Sequence, residues 1–359
     1  MSRRVLLHVG TPKSGTSYLQ DRLALNREGL RSQGLDYVET RTGDHFEAAL
    51  DLLGERWAGA EKAAQGQWDT LVAEARRSRR DVLISHEILA AVAPERAHRA
   101  VAAFAEDEVH VVVTARDLGR QVPAEWQERV KHRGRRDYEK FLEAMVRNHA
   151  RTDWQMWFWR VQELPAILTS WGAGLLPERV HLVTVPGPDG PREALWDRFG
   201  SVLGLDPGAP YAETETTNAS LGGAEVTLLR RLNVALAERE LPRTTYVTWV
   251  REMIVREVLA ERSQMQRTSV PPQHRAFVED VTAGWLEWVR LSGVHVVGDL
   301  DDLLPRWPDD EDAWVDPDDA DPAVVADAAI EALAHVLDEI AQGRADRNPV
   351  ARIARRLRS

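Results

Sequence analysis

The chain reads as an α/β protein: a central, mainly parallel sheet flanked by helices, with a P-loop-like nucleotide-binding architecture and an added helical layer. Three observations lead there. Short runs of Val, Leu and Ile alternate with longer helical patterns, as they do when crossover helices join parallel strands. Each strand run is continuously apolar rather than alternating, which fits strands covered on both faces. The first run opens into a glycine-bounded loop and then a helix, the order that cradles phosphate groups.

Taken in order, Val5–Val9 is the first strand, followed by helical stretches beginning at Gly15 and at about Glu61. Asp81–Ser85 is the second strand, and Pro94–Ala105 a crossover helix with proline in its first turn. Val109–Thr114 is the third. A helical region runs from Arg116 to Arg133, with Pro123 near its start or kinking it. Tyr138–His149 and Trp154–Gly172 fill the long connection to the strand Val180–Val185. In the second of these, Trp154, Trp157, Phe158 and Val161 share one helix face, which reads as core. Gly222–Arg239, Arg243–Arg262 and His274–Leu291 are further helices, and Val294–Val297 a short strand.

The domain reading is 1–298 for the α/β domain, 299–321 for an acidic linker, and 322–359 for a C-terminal helix with a basic tail. Asp299 to Asp321 holds eleven acidic residues and one arginine, with Pro305, Pro308 and Pro317, and reads as solvated and extended. Asp321-Pro322 caps and starts the last helix, whose Val325, Ile330, Leu333, Leu337 and Ile340 form the face expected to dock on its own domain. Truncation after about Val297 is then expected to spare nucleotide binding.

Composition narrows the function. Of 359 residues, 43% are hydrophobic and 29% charged, which excludes collagenous and low-complexity classes. There is no cysteine, so disulfides, thiolate metal sites and thiol nucleophiles are excluded. No apolar run reaches the roughly 18–20 residues that span a bilayer, and His8 interrupts the short N-terminal apolar stretch, so a cytoplasmic protein is expected. The formal charge is −11; the acidic stretch carries −10 of it, leaving −1 for the rest. No basic excess draws nucleic acid. Arginines number 42 and lysines only four, so a lysine is informative here.

One of the four, Lys13, lies in Gly10-Thr11-Pro12-Lys13-Ser14-Gly15-Thr16-Ser17-Tyr18. A nucleotide-triphosphatase loop would read G-x-x-x-x-G-K-[ST]. Gly10 and Gly15 keep that separation, but Thr16 stands where the lysine belongs. The segment resembles instead the 5′-phosphosulfate loop of the sulfotransferase family, approximately P-K-[SA]-G-T-[TS]-x-[LI]. Pro12, Lys13, Ser14, Gly15, Thr16 and Ser17 all match it. The resemblance, to bacterial members above all, implies that the loop holds 3′-phosphoadenosine 5′-phosphosulfate (PAPS), with PAP as product. Tyr18 stands where the cytosolic enzymes carry a tryptophan that stacks on adenine.

The resemblance extends to two strand ends. Leu83-Ile84-Ser85-His86-Glu87 is similar to a strand that ends in the general base, which implies that role for His86, with Glu87 as its rival because other branches use glutamate. Val113-Thr114-Ala115-Arg116 resembles the 3′-phosphate motif, implying a forked contact from Arg116. The serine the family places eight residues later is here Ala124, and Gln121 or Ser220 are its possible substitutes. The family's C-terminal nucleotide loop is absent; Thr217-Asn218-Ala219-Ser220-Leu221-Gly222 stands in its place, with Asn218 and Ser220 as further cofactor contacts. His45 is a weaker candidate that reads as helix capping. The expected activity is sulfuryl transfer to the hydroxyl of a carbohydrate, lipid or secondary metabolite, with no metal required. A P-loop kinase or triphosphatase, and a non-catalytic PAP-binding protein, are the alternatives.

Overall fold

The computed structural model describes residues 2–40, 42–57, 59–151, 155–191, 193–214, 221–263, 265–307 and 314–342. Among these, six strands form one parallel sheet: β1 (Arg4–His8), β2 (Leu35–Tyr37), β3 (Asp81–Ser85), β4 (Glu108–Ala115), β5 (Val180–Thr184) and β6 (His295–Val297). Their spatial order is β2-β3-β1-β4-β5-β6. The chain first builds to one side of β1 and then crosses to the other, so the order reverses between β1 and β4. In open α/β sheets ligands bind outside the carboxyl ends of strands at such a reversal.

The chain divides into two units. The first comprises residues 1–121, 145–217 and 276–306 and contains the sheet. Leu6, Leu83, Val112 and Val183 form one face of it and pack under the helices Thr16–Leu25 and Ala194–Leu203, which add Leu19, Leu23, Leu195 and Phe199. On the opposite side Val5, Leu7 and Val111 are equally buried, and the helix Leu164–Gly172 packs on β4. Two covered faces are why the strands read as unbroken apolar runs. The edge strand β2 has no counterpart in the sequence reading, and the helix Phe46–Leu53 has only the capping reading of His45. Three residues are too few to show a period, and the eight-residue helix is apolar almost all round.

The second unit, residues 122–144, 218–275 and 307–359, is mainly helical among its described residues. Its helix Gly223–Leu236 is held through Asn233, whose amide donates to the Val130 and Gly134 carbonyls and whose Oδ1 accepts from the Tyr246 hydroxyl at 2.7 Å. Tyr246–Val258, expected within an α-helix, is wound as a π-helix. Its buried Tyr246, Val250, Met253 and Val255 suit either winding, so periodicity does not separate them.

Two expectations are corrected. The acidic stretch is no free linker. In the sheet unit Leu303 is buried, and Asp302 accepts from Arg198, from the Thr184 hydroxyl at 3.0 Å and from the Gly187 N–H at 3.1 Å. Burial alone would raise the Asp302 pKa, but Arg198 and Thr184 outweigh it and hold it below the usual range. In the helical unit Asp318 accepts from the Tyr138 N–H and pairs with Arg230. Carboxylates that read as solvated are thus anchors for buried donors; residues 308–313 lie outside the described residues. Asp302→Ala is therefore expected to destabilise the chain by about 2 kcal/mol, since it leaves the half-buried Arg198 guanidinium and the buried Thr184 hydroxyl without their shared acceptor. Urea unfolding is the check, and a change below about 0.5 kcal/mol would return the stretch to solvent. Truncation after Val297 removes Leu303 and Asp302 together and is no longer expected to be harmless.

The last helix, Pro322–Ala341, docks by a different face from the one expected. Val325, Ala328 and Ala332 are buried against its own unit, while Ile330, Leu333, Leu337 and Ile340 are 52–64% exposed. Alanines let the helix backbones approach closely, and Glu331 of this helix pairs with Arg262. The arginine-rich tail lies outside the described residues.

Candidate active site

Three adjacent strands, β3, β1 and β4, bring their carboxyl ends together, and the candidate residues sit on them. The loop after β1 continues alongside β4: Val9 N–H donates to the Val112 carbonyl and Thr11 N–H to that of Thr114. Gly10 is required there, because a Cβ would lie 2.5 Å from both Thr114 Oγ1 and Thr16 Cγ2. The chain then reverses through two left-handed residues, Lys13 at φ 67° and Gly15 at φ 82°. A non-glycine residue held in that region costs on the order of 1–3 kcal/mol and marks functional loops. The reversal spends the Ser14 N–H on the Thr11 carbonyl at 3.3 Å and leads into Thr16–Leu25, whose first turn has no side-chain cap.

The loop is braced from outside. The Pro12 carbonyl accepts from both Gln121 Nε2 and Gln162 Nε2, each at 2.9 Å. Ser14 is fully buried, its hydroxyl donating to the Thr11 carbonyl at 2.6 Å. Arg116 follows β4 and reaches the Lys13 carbonyl at 3.5 Å, while its buried Nε has no protein partner. Burial, followed by the neighbouring Arg120 and against the pull of Asp117, lowers the Arg116 pKa to about 10. A guanidinium charged, half-buried and incompletely bonded beside an uncapped helix start fits an anionic group. Asp117, by contrast, is committed to the Arg120 backbone and side chain.

At the end of β3, His86 is buried and its Nδ1 accepts from the Ile88 N–H at 3.2 Å. A neutral imidazole carries one proton, so this places that proton on Nε2. Glu87 accepts from Gln20 Nε2 at 3.1 Å. Burial alone would raise its pKa, but His86, its own backbone N–H and Gln20 outweigh that and hold it below the usual carboxylate range. His45 holds the N-cap position, but contrary to the capping reading its side chain makes no bond to the helix start. It precedes the helix Phe46–Leu53, donates from Nε2 to the Val38 carbonyl and accepts the Ser85 N–H at Nδ1.

Tyr18 packs its ring on the apolar cluster of the sheet unit, and its hydroxyl accepts from Arg22 at 2.6 Å. Thr16 is buried and Ser17 half-buried in the first helical turn. Ala124 lies in the helix Leu118–Lys131 and offers no hydroxyl. Gln121 does not replace the missing serine: both amide protons are spent, on the Pro12 carbonyl and on Gln162 Oε1, which leaves only an acceptor oxygen. Asn218 and Ser220 lie outside the described residues, as does Trp154. Sequence reading missed Gln162, Gln20 and a buried set of His8, Ser85 and Thr114. His8, a lone polar residue ending an apolar strand, was the available signal.

No protein-family profile matches the chain, and neither does any curated protein. Two solved structures are similar to it. A sulfotransferase from Alicyclobacillus acidocaldarius is 16% identical with a TM-score of 0.41, over 68% of this chain and 99% of that one. The sulfotransferase domain from the curacin biosynthetic pathway is 13% identical with a TM-score of 0.34, over 57% of this chain and 75% of that one.

Proposed function

We propose that the chain is a sulfotransferase, moving a sulfuryl group from PAPS to a hydroxyl of a small-molecule or glycan acceptor and leaving PAP. The observation that carries this reading is the pair of left-handed residues Lys13 and Gly15. They turn the P-K-S-G-T-S segment onto an uncapped helix start, beside a guanidinium with an unsatisfied donor. When bound, PAPS supplies a labile bond between sulfur and the bridging phosphate oxygen, which breaks as the acceptor oxygen bonds to sulfur.

The chain's own residues supply the rest. The amides of Gly15 to Ser17 and the Lys13 ammonium hold the 5′-phosphate and stabilise the charge that develops on it as the bond breaks. Arg116 holds the 3′-phosphate through its orphaned Nε. The acceptor proton goes to the carboxylate of Glu87. His86 is the less suitable base, because freeing its Nε2 lone pair would put a proton on Nδ1 facing the Ile88 N–H. It orients the strand end instead.

Adenosine 3′,5′-bisphosphate is expected to bind at least about tenfold more tightly than AMP, since losing one charge-assisted phosphate contact costs about 1.5–3 kcal/mol. Isothermal calorimetry decides it. Equal affinity for AMP, or preference for ATP with magnesium, overturns the reading and favours a kinase or triphosphatase.

A further inference from the structure

A polar chain runs beneath the loop, and nothing in the chemistry above uses it. Ser14 Oγ meets Thr114 Oγ1 at 2.7 Å, and Thr114 Oγ1 lies 3.2 Å from His8 Nε2. His8 Nδ1 lies 2.7 Å from Ser85 Oγ. Ser85 Oγ in turn accepts from Gln20 Nε2 at a longer 3.4 Å, and the same amide donates to Glu87. His8, Ser85 and Thr114 sit at the carboxyl ends of β1, β3 and β4, with His8 and Ser85 in direct register.

Counting protons fixes every direction. The one Ser14 hydroxyl proton goes to the Thr11 carbonyl, so Thr114 donates to Ser14. Thr114 must then accept from His8, which carries its proton on Nε2. His8 Nδ1 accepts from Ser85, and Ser85 accepts from Gln20, whose second amide proton reaches Glu87. The direction therefore runs one way, from the Glu87 side to the loop. A buried imidazole in an otherwise apolar strand is expensive unless both nitrogens are satisfied, and here both are.

We propose that His8 is a positioning residue of this site. Neutral and held with its proton on Nε2, it ties the Ser14 end of the anion-binding loop to Gln20 and Glu87 at the strand end. The bound phosphate and the base carboxylate are thereby set in one register. Phe199 closes the pocket on the imidazole at 4.7 Å between ring centroids, and Glu87 and His86 are the charged or titratable groups that act on it. Burial, opposed by Glu87, lowers its pKa to about 3, in keeping with a ring that stays neutral. The inference rests on the sulfotransferase reading for the identity of the ligand, but not for the chain of bonds.

The test is nitrogen-15 NMR of the histidine rings in the full chain, with paired variants at Thr114. His8 is expected to show the Nε2–H tautomer, unchanged between pH 7.5 and 5.5. Thr114→Val keeps the shape and removes the hydroxyl. It should shift the His8 Nε2 resonance, weaken adenosine 3′,5′-bisphosphate binding about tenfold and move the acidic limb of kcat/KM, although this hydroxyl touches no Glu87 atom. Thr114→Ser should restore all three. A proton on Nδ1, titration of His8 within that window, or both Thr114 variants behaving as wild type overturns the proposal. A wild-type chain that binds no bisphosphate overturns the donor reading instead; the tautomer and the Thr114→Val resonance shift then still decide the role of His8.

Discussion

Glu87→Gln is expected to lower turnover by about 10²–10⁴-fold while leaving adenosine bisphosphate affinity nearly unchanged, the signature of a lost general base. The amide fills the same space and can still accept from Gln20, so packing is kept and only the proton acceptor is lost. His86→Asn retains an acceptor for the Ile88 N–H and should cost about tenfold or less. The pH profile gives a second reading. Because Glu87 is held below the usual carboxylate range, the acidic limb of kcat/KM should fall below that range too. If His86→Asn abolishes turnover and Glu87→Gln does not, or if the limb falls in the histidine range, the base is His86.

The second large effect is on stability. Burial lowers the pKa of His8 to about 3 and of His45 to about 4. His181 falls to about 4 through burial and then its neighbours His110 and His295. All three folded values lie below the unfolded value of about 6.5. The folded chain therefore binds fewer protons than the unfolded one across that interval. The stabilisation is whole above about pH 6.5 and is lost as pH falls toward 4. Each histidine contributes up to about 1.4 kcal/mol per pH unit, so three give on the order of 4. Glu87, Glu108 and Asp302 are lowered from ordinary values of 4.5, 4.5 and 3.8, so the stability they add is lost only below about pH 5. Urea midpoints at pH 7.5, 6.5 and 5.5 should show a level upper interval and a steep lower one. A flat profile down to pH 5.5 would mean that these rings are open to solvent.

The histidines also show where sequence reading stopped. The parallel sheet was legible because burial on both faces removes polar residues from Leu6, Leu83, Val112 and their neighbours, and that pattern is local. The loop was legible because Gly10 and Gly15 must be glycine for the backbone to turn as it does, and because Lys13 between them matches a recurring loop pattern. What escaped depends on pairing between distant segments. His8 meets Ser85 and Thr114 only after three strands align, and neither serine nor threonine announces that partner. Asp302 looked solvated because its neighbours in sequence are acidic, whereas its partners Arg198 and Thr184 lie over a hundred residues away. The last helix was misjudged for a related reason: its larger apolar residues suggested the docking face, but close packing selected the alanines.

The place of β6 in the chain has a consequence for biosynthesis. β5 is complete at Thr184, but the strand that covers its free edge begins only at His295, after the 110 residues 185–294. At roughly 5–20 residues per second, a ribosome needs about 6–22 seconds to deliver it. During that interval Val180–Thr184 offers an open row of backbone donors and acceptors, with His181 missing its partner His295. Nascent chains stalled between these points carry an adhesive strand, and the last β-pairing of the sheet is formed against the clock of translation rather than at its start.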